Sequence, residues 1–136
     1  MRSLTTDIVV EWEDCDPAGL VFYPRFLSYF DRGSWNLWHA IGLDLPAMKA
    51  LGAFGFPALE AKATLHYPCR FRDRLRIVSE VAEIDSKTVR VDHTIYNGEQ
   101  EAVTGYEVRF WGVGHPADPQ GVRAGVIPDE VLKMLK

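Results

Sequence analysis

The feature that most constrains the fold is a long apolar helical segment with only three charged residues at positions 24–42, P-R-F-L-S-Y-F-D-R-G-S-W-N-L-W-H-A-I-G. Pro24 suits the first helical position, because its fixed φ fits there and its missing N–H is not needed. Gly42 suits the position just past the helix end. Apolar residues recur at helical spacing between these two, and a helix with so few charges is usually buried on most sides.

The rest of the sequence predicts an antiparallel sheet. Alternating or β-branched runs predict one strand before the helix and four after it, at residues 4–13, 58–67, 73–84, 87–96 and 100–111. Asn97 and Gly98 predict a tight hairpin turn between the last two strands. We expect a short helix at 45–51, irregular structure in the Gly- and Pro-rich segment 112–127, and a last helix after Pro128.

Strands that follow one another without intervening helices form antiparallel sheets. The apolar helix has no other surface on which to bury its side chains, so the sheet should curve around it. The predicted fold class is therefore α+β, in a single domain that spans residues 1–136.

The composition bears on partners and location. The formal net charge is −4, from 19 acidic and 15 basic residues, and the basic residues are scattered, so no nucleic-acid partner is indicated. The two cysteines give neither a disulfide framework nor zinc-site spacing. The first residues lack an apolar run with a cleavage site, and no stretch is long enough to span a bilayer. We therefore expect a cytoplasmic protein with no membrane partner.

Four arginines alternate along one basic segment: Arg70, Arg72, Arg74 and Arg76. If the segment is extended, the four side chains share one face. Such a row is either the solvated edge of a strand or an anion site, for example for the phosphates of a nucleotide-bearing substrate.

The densest group of reactive side chains lies in the loop E-W-E-D-C-D-P-A-G before the long helix, with carboxylates at Glu11, Glu13, Asp14 and Asp16. A helix N-terminus presents unpaired N–H groups and a positive dipole end, which can hold a substrate carbonyl and the oxyanion that develops on it. A carboxylate beside that site can attack the carbonyl or deprotonate water. The alternative is that Asp14 and Asp16 only cap the turn or the helix.

Other chemistry is less well supported. Carboxylates without a nearby histidine do not favour a metal site. Cys15 lacks the local sequence of a catalytic cysteine. The histidines His39, His66, His93 and His115 have neither metal nor triad spacing, so we expect each to be a satisfied surface or core residue.

The string D-C-D-P-A-G-L-V-F-Y-P at residues 14–24 closely resembles the characteristic motif of the 4-hydroxybenzoyl-CoA thioesterase family. Y-F-D-R-G-S at residues 29–34 and G-F-P at residues 55–57 fit the same family. The resemblance implies a hotdog fold, in which an antiparallel sheet of five to six strands wraps around one long central helix. It also implies an acyl-CoA thioesterase that needs no cofactor and forms a homodimer or homotetramer, with each active site between two subunits.

The resemblance assigns the catalytic roles within the loop. Asp16 matches the family's catalytic carboxylate, which acts as a nucleophile or as a general base on water. Tyr23 matches the residue whose backbone N–H holds the oxyanion at the start of the helix. Phe22 matches an aromatic position that lines the acyl pocket.

The resemblance also assigns two substrate contacts outside the loop. Asp31 matches a helix residue that meets the ring hydroxyl of the acyl group from across the subunit interface. The alternative is a solvent-facing charge beside Arg25 or Arg32. Lys87 is what remains here of a basic cluster that holds the CoA phosphates in the aromatic-specific branch.

The chain departs from that branch at Phe56, where the branch has a polar residue, and in the thin basic cluster around Lys87. A second branch, specific for short-chain aliphatic substrates, usually has His where this chain has Pro24. The expected function is hydrolysis of an aromatic, 4-hydroxybenzoyl-like CoA thioester to the free acid and CoA. The alternatives are a short-chain aliphatic acyl-CoA thioesterase and a non-hydrolytic acyl-CoA-binding hotdog domain.

Overall fold

The computed structural model describes residues 1–136 and places one long helix against a five-stranded antiparallel sheet. The elements in chain order are β1 (Ser3–Val9), a 3-10 turn (Trp12–Asp14), α1 (Arg25–Ala40), α2 (Leu45–Ala50), β2 (Ala58–Leu65), β3 (Arg74–Ile84), β4 (Thr88–Asn97), β5 (Gln100–Phe110), β6 (Gly112–His115), β7 (Asp118–Ala124) and α3 (Asp129–Leu135). The strand order in the main sheet is β1-β3-β4-β5-β2, and β6 pairs with β7 separately. The predicted α+β class is confirmed.

Helix α1 begins and ends where the sequence predicts. Pro24 has helical φ and ψ of −64° and −21°, and the helix ends at Ala40, ahead of Gly42. Its buried side faces the sheet and carries Phe26, Tyr29, Phe30, Gly33, Ser34, Leu37 and Trp38. Its opposite side is exposed along most of its length. The expectation that the helix is buried on most sides is therefore wrong for the single chain, because the sheet covers only one side of it.

Two apolar clusters lie between α1 and the sheet. The N-terminal half of α1 packs with residues of β3 and β4, including Ile77 and Ile95. The C-terminal half packs with α3, Trp111 and Phe56. Phe56 is fully buried, and its ring lies 5.1 Å from the ring of Trp38 and 5.1 Å from that of Trp111. Burying a phenylalanine is worth ~1.5–3 kcal/mol, so Phe56 belongs to the core in this chain.

Glycine lets α1 approach the sheet closely at one point. A Cβ on Gly33 would overlap the Oγ of Ser79 on β3 and would come within 3.5 Å of the His93 ring on β4. A side chain larger than hydrogen would therefore push the helix away from the strands. This contact fixes how deep α1 lies on the sheet, and with it the position of the loop that precedes the helix.

The structure differs from the sequence prediction around β1 and β6. Strand β1 stops at Val9 instead of residue 13, because Trp12–Asp14 form a 3-10 turn in which the side chains of Glu11 and Asp14 cap each other's backbone N–H groups. Segment 112–127 was expected to be irregular, yet it contains the β6–β7 hairpin. Its glycines and prolines masked the alternation on which strand prediction depends.

The hairpin predicted between β4 and β5 is confirmed, with its turn one residue later. Asn97 pairs with Gln100, so the two turn residues are Gly98 and Glu99. The arginine row is not one extended face. Arg70 and Arg72 lie in a turn before β3, and only Arg74 and Arg76 belong to the strand.

Strand β2 ends the sheet opposite β1. It pairs with β5 along one edge and has no strand along the other. Seven of its eight residues are exposed. An unpaired strand edge is a ready template for pairing with another chain. No helix of this chain combines the length and the apolar character that crossing a membrane requires.

Candidate active site

The loop between β1 and α1 folds around the side chain of Asp16. Its Oδ1 accepts hydrogen bonds from the backbone N–H of Ala18 at 2.9 Å and of Leu20 at 3.2 Å. Its backbone N–H donates to the Leu20 carbonyl at 2.8 Å. Gly19 closes the turn with a φ of +81°, which favours glycine. The carboxylate is thus half-buried and held in one orientation.

Asp16 does cap a turn, as one reading of the sequence expected, but it uses only one oxygen to do so. No group of the chain hydrogen-bonds to its Oδ2. It does not cap α1, since no side chain caps that helix at Pro24. The turn therefore fixes the carboxylate and leaves one oxygen available for chemistry.

The backbone N–H of Tyr23 donates no hydrogen bond within the chain. Its neighbours do, because the N–H of Phe22 donates to the Asp14 carbonyl and that of Arg25 to the Phe22 carbonyl, each at 2.8 Å. Tyr23 lies at the start of α1, where the helix dipole is positive. An unpaired N–H at such a position can stabilise an oxyanion.

Asp14 ties the loop to the helix. Its Oδ2 accepts a hydrogen bond from the Tyr29 hydroxyl at 2.9 Å, and its Oδ1 lies 3.9 Å from Nε of Arg25. Burial, reinforced by the hydrogen bond to Asp14, raises the pKa of Tyr29, so the phenol keeps its proton and donates. The pKa of Cys15 is raised by burial and by the charges of Asp14 and Asp16, which disfavours a reactive thiolate.

An apolar groove of about 300 Å³ opens beside this loop. It is lined by Leu20, Val21, Phe26, Leu65, His66, Tyr67, Pro68 and Cys69. Leu20 links it to Asp16 through the hydrogen bond to Oδ1. A cavity of ~150 Å³ holds benzene, so the groove has room for a small aromatic group. Phe22, predicted to line the acyl pocket, does not line this groove and is 48% exposed in the single chain.

Asp31 lies at the margin of the helix–sheet contact on α1, and its side chain is 55% exposed. Its partner is Arg109 on β5, whose NH2 donates to Oδ1 at 2.6 Å, and not Arg25 or Arg32 as the alternative reading expected. Asp31 lies eight residues after Tyr23, ~12 Å along the helix. One chain therefore does not bring Asp31 next to Asp16.

Behind Asp31 lies a buried polar network that the sequence reasoning missed. Arg109 donates to both oxygens of Glu107, at 3.1 and 2.7 Å, and to the Phe56 carbonyl at 2.7 Å. His93 lies 2.9 Å from Glu107, and the Ser34 hydroxyl also donates to that carboxylate. Burial alone would raise the pKa of Glu107, but the hydrogen bonds from His93 and Arg109 outweigh it and lower the pKa to about 2.

A sequence signal for this network exists. Glu107 and Arg109 share the alternation of Val103 on β5, which places both on the side of the strand that faces α1. A charge at a core position needs a partner of opposite charge. An acid and a base two residues apart on one strand point to the same side and can be that partner for each other. His93 is a buried residue with hydrogen-bond partners, which is one of the two environments expected for the histidines.

Lys87 lies in the turn that joins β3 to β4. Strand β3 starts at Arg74, near the active-site loop, and runs away from it for eleven residues. That length places Lys87 roughly 30 Å from the Asp16 end of the sheet in the same chain. The contact between Lys87 and the CoA phosphates stays a prediction, and it would have to be made to a substrate bound mainly by another subunit.

A sheet that wraps around one long helix is the hotdog fold, and the chain belongs to the Thioesterase-like superfamily, whose family model matches residues 10–134. Fold and family together define the class of protein: a hotdog-fold thioester hydrolase. The 4-hydroxybenzoyl-CoA thioesterase of Pseudomonas sp. strain CBS-3 is 26% identical over 140 residues, covering 98% of this chain and 97% of that protein. Its solved structure superposes with a TM-score of 0.88 at 26% identity, over 98% of this chain and 99% of that one.

Two further comparisons agree with this class. A crystal structure of a 4-hydroxybenzoyl-CoA thioesterase mutant in complex with 4-hydroxybenzoyl-CoA has a TM-score of 0.91 at 24% identity, covers 100% of both chains, and supports the fold. The 1,4-dihydroxy-2-naphthoyl-CoA hydrolase of Thermosynechococcus vestitus is 25% identical over 96 residues, which cover 69% of this chain and 66% of that protein.

Proposed function

We propose that this chain hydrolyses an aromatic acyl-CoA thioester to the free acid and CoA, with Asp16 as the reacting carboxylate. One observation carries the proposal. Oδ1 of Asp16 is fixed by two backbone N–H groups while Oδ2 is free, on the loop that leads directly to the unpaired N–H of Tyr23. A fixed base or nucleophile and an oxyanion donor are the two groups that acyl transfer needs.

The geometry supports a simple sequence of steps. The N–H of Tyr23 donates a hydrogen bond to the thioester carbonyl oxygen and stabilises the negative charge that develops on it. In one route, Oδ2 of Asp16 bonds to the carbonyl carbon, the C–S bond breaks, CoA leaves as the thiolate, and water hydrolyses the resulting anhydride. In the other, Oδ2 takes a proton from a water molecule whose oxygen attacks the same carbon, the C–S bond breaks, and the departing CoA thiolate takes up the proton.

The two routes give different isotope patterns when water attacks the anhydride at the Asp16 carbonyl. In a single turnover in ¹⁸O-labelled water, direct attack puts the label only into the acid product. Anhydride formation followed by water attack at the Asp16 carbonyl puts it into the Asp16 carboxylate, which mass spectrometry of the peptide containing residues 14–24 detects. Both routes end with the product acid and the CoA thiol, and neither needs a cofactor from the protein.

An aromatic acyl group is supported by the groove beside Asp16 and by the relatives, whose names specify 4-hydroxybenzoyl-CoA and 1,4-dihydroxy-2-naphthoyl-CoA. Asp31 adds a candidate partner for a ring hydroxyl, since Arg109 occupies its Oδ1 and no group of the chain binds its Oδ2. Phe22 would flank the ring in the same pocket once a second subunit closes it.

A homodimer is the proposed working unit, and a tetramer of paired dimers is the larger form. The unpaired edge of β2 and the exposed side of α1 are both available to a second copy. Pairing through these surfaces would bring the Asp31 side of one helix to the neighbouring active site. Light scattering at micromolar protein should give at least twice the mass of 15.4 kDa, and a monomer that retains full activity would contradict this proposal.

The experiment that tests the function is turnover on a panel of benzoyl-, hydroxybenzoyl-, phenylacetyl- and short-chain aliphatic CoA thioesters. Asp16→Asn keeps an oxygen to accept from Ala18 and Leu20 but removes the negative charge, so kcat should fall by ~10³-fold with the fold intact. Glu13→Gln, an exposed carboxylate of the same loop, is the matched control and should stay within about threefold.

Each alternative has its own outcome. Full activity of Asp16→Asn would remove the proposed role of that residue. Preference for the aliphatic substrates would establish the short-chain thioesterase. Stoichiometric binding of acyl-CoA without release of CoA by the wild-type protein would establish the non-hydrolytic domain.

A further inference from the structure

Four exposed arginines on one stretch of chain have no carboxylate within salt-bridge distance: Arg70, Arg72, Arg74 and Arg76. The acid among them, Asp73, is already engaged, because its Oδ2 accepts from the backbone N–H of Arg70 and from the side-chain amide of Asn97, both at 2.8 Å. The four cations outnumber the one carboxylate within these seven residues, so the segment keeps an excess of positive charge and favours an anion as its partner.

This stretch is attached to the active-site loop by its backbone. The N–H of Phe71 donates to the Gly19 carbonyl at 3.0 Å, and Leu20 forms an isolated β-bridge with Arg70. Arg72, whose N–H donates to the Val10 carbonyl at 3.0 Å, has a φ of +74°, the one positive φ outside glycine. That conformation is costly for an arginine. The arginines are therefore held directly beside the loop that carries the reacting carboxylate.

An exposed aromatic pair lies at the same junction. Trp12 and Phe71 pack edge to face with ring centroids 5.3 Å apart, yet they remain 60% and 41% exposed. The guanidinium of Arg72 lies 5.8 Å from the centre of the Phe71 ring. Exposed aromatic faces beside cations are the chemistry that binds nucleotides, since bases stack on the rings and phosphates pair with the cations.

Beyond the turn, Arg74 and Arg76 line a surface cavity of about 400 Å³. Asp7 on β1 lines it too and is the register partner of Arg76, although the two side chains form no ion pair. A carboxylate here weakens the positive potential of the cavity. Removing the Asp7 carboxylate should therefore strengthen the binding of an anion, whereas removing an arginine should weaken it.

We infer that Trp12, Phe71 and the four arginines, together called the nucleotide surface, bind the 3′-phospho-ADP part of the CoA substrate. The guanidinium groups would pair with the phosphates, for which their fork geometry is suited, and the two rings would stack with the adenine. This inference rests on the proposed function, because it takes a CoA thioester as the substrate.

The test compares two substrates with the same acyl group, an acyl-CoA and the matching acyl-pantetheine, which has no nucleotide. The double variant Arg72→Gln/Arg74→Gln should raise KM for acyl-CoA ~10-fold or more and leave KM for acyl-pantetheine and both kcat values unchanged. Trp12→Ala should raise KM for acyl-CoA ~5-fold and leave KM for acyl-pantetheine unchanged. Arg123→Gln, an exposed arginine on β7, is the matched control and should change neither substrate's KM.

Asp7→Asn supplies a test that removes no contact of the nucleotide surface, and it should lower KM for acyl-CoA alone. Equal changes for both substrates in the arginine variants, or no change for either, would overturn the inference. A selective rise of KM in Lys87→Gln without one in the arginine variants would overturn it as well. Wild-type protein that hydrolyses neither substrate would instead contradict the proposed function, so the two failures are distinguishable.

Discussion

Arg109 on β5 forms an ion pair with Asp31 on α1, in which NH2 of the arginine lies 2.6 Å from Oδ1 of the aspartate. The pair connects the interior of the protein to its surface. The arginine side chain is 3% exposed and the aspartate side chain 55%. The same NH2 group lies 2.7 Å from Glu107, which balances the buried charge. One oxygen of Asp31 is thereby fixed and the other is left free for a ligand.

Asp31→Ala should reduce discrimination in favour of ring-hydroxylated acyl groups. If the free oxygen of Asp31 accepts a hydrogen bond from the ring hydroxyl, its loss should lower kcat/KM for 4-hydroxybenzoyl-CoA by ~10-fold or more relative to benzoyl-CoA. Arg32→Gln, the next exposed charge on α1, is the matched control. Equal losses on both substrates would show that Asp31 does not recognise the hydroxyl.

Arg109→Met should destabilise the fold, because it leaves the carboxylate of Glu107 buried without its cation. Breaking a buried ion pair in this way costs ~3–5 kcal/mol. The double variant Glu107→Gln/Arg109→Met removes both charges and should recover part of that loss in urea unfolding. A double variant less stable than the sum of the two single effects would contradict this account of the network.

The pH dependence of stability should carry the contribution of Glu107. Burial opposes its ionisation, but the hydrogen bonds from His93 and Arg109 prevail and lower its pKa to about 2 from the ordinary 4.5. Because the folded-state pKa is the lower one, the stabilisation is complete above about pH 4.5 and is lost as pH falls towards about 2. It amounts to ~3 kcal/mol.

The measurement is the free energy of unfolding in urea at several pH values across that range. Glu107→Gln, which cannot titrate, should show a correspondingly shallower fall in stability on acidification than the wild-type chain. Identical slopes for the two proteins would mean that Glu107 has no lowered pKa in the folded state.

Gly33→Ala should destabilise the protein by ~1–3 kcal/mol, since overpacking of a tight contact forces the surroundings to shift. The new Cβ would overlap the Ser79 Oγ, which lies 2.8 Å from Nδ1 of His93. Removing the hydroxyl in Gly33→Ala/Ser79→Ala should relieve the overlap, so the double variant should be more stable than the sum of the single changes predicts. Additive melting-temperature shifts would rule out the steric contact as the cause.

The parts of the fold that could be predicted are those in which local sequence and tertiary packing agree. Pro24 and Gly42 bound α1 because their backbone preferences coincide with the ends of the apolar stripe. Strands β3, β4 and β5 alternate because one face of each lies under the helix. The β6–β7 hairpin was missed, since glycine and proline weaken the alternation that reveals a strand.

In the site, the sequence indicated Asp16 and the helix start, but it could not separate capping from catalysis. The structure shows that the turn uses one oxygen of that carboxylate and leaves the other without a partner in the chain. The outer end of the buried network was missed because alternation places Arg109 inward beside Glu107 without showing its second partner. That partner, Asp31, lies 78 positions away in the chain.

The contact between Gly33 and Ser79 also bears on how such a chain can diverge. Because no side chain separates α1 from β3 there, mutation cannot easily lift or slide the helix to enlarge the acyl site. New acyl preferences must then arise through exchange of side chains on the exposed side of α1 and in the groove. The helix backbone and the loop before it would stay in place, so descendants of this chain should change substrate while Asp16 keeps its position.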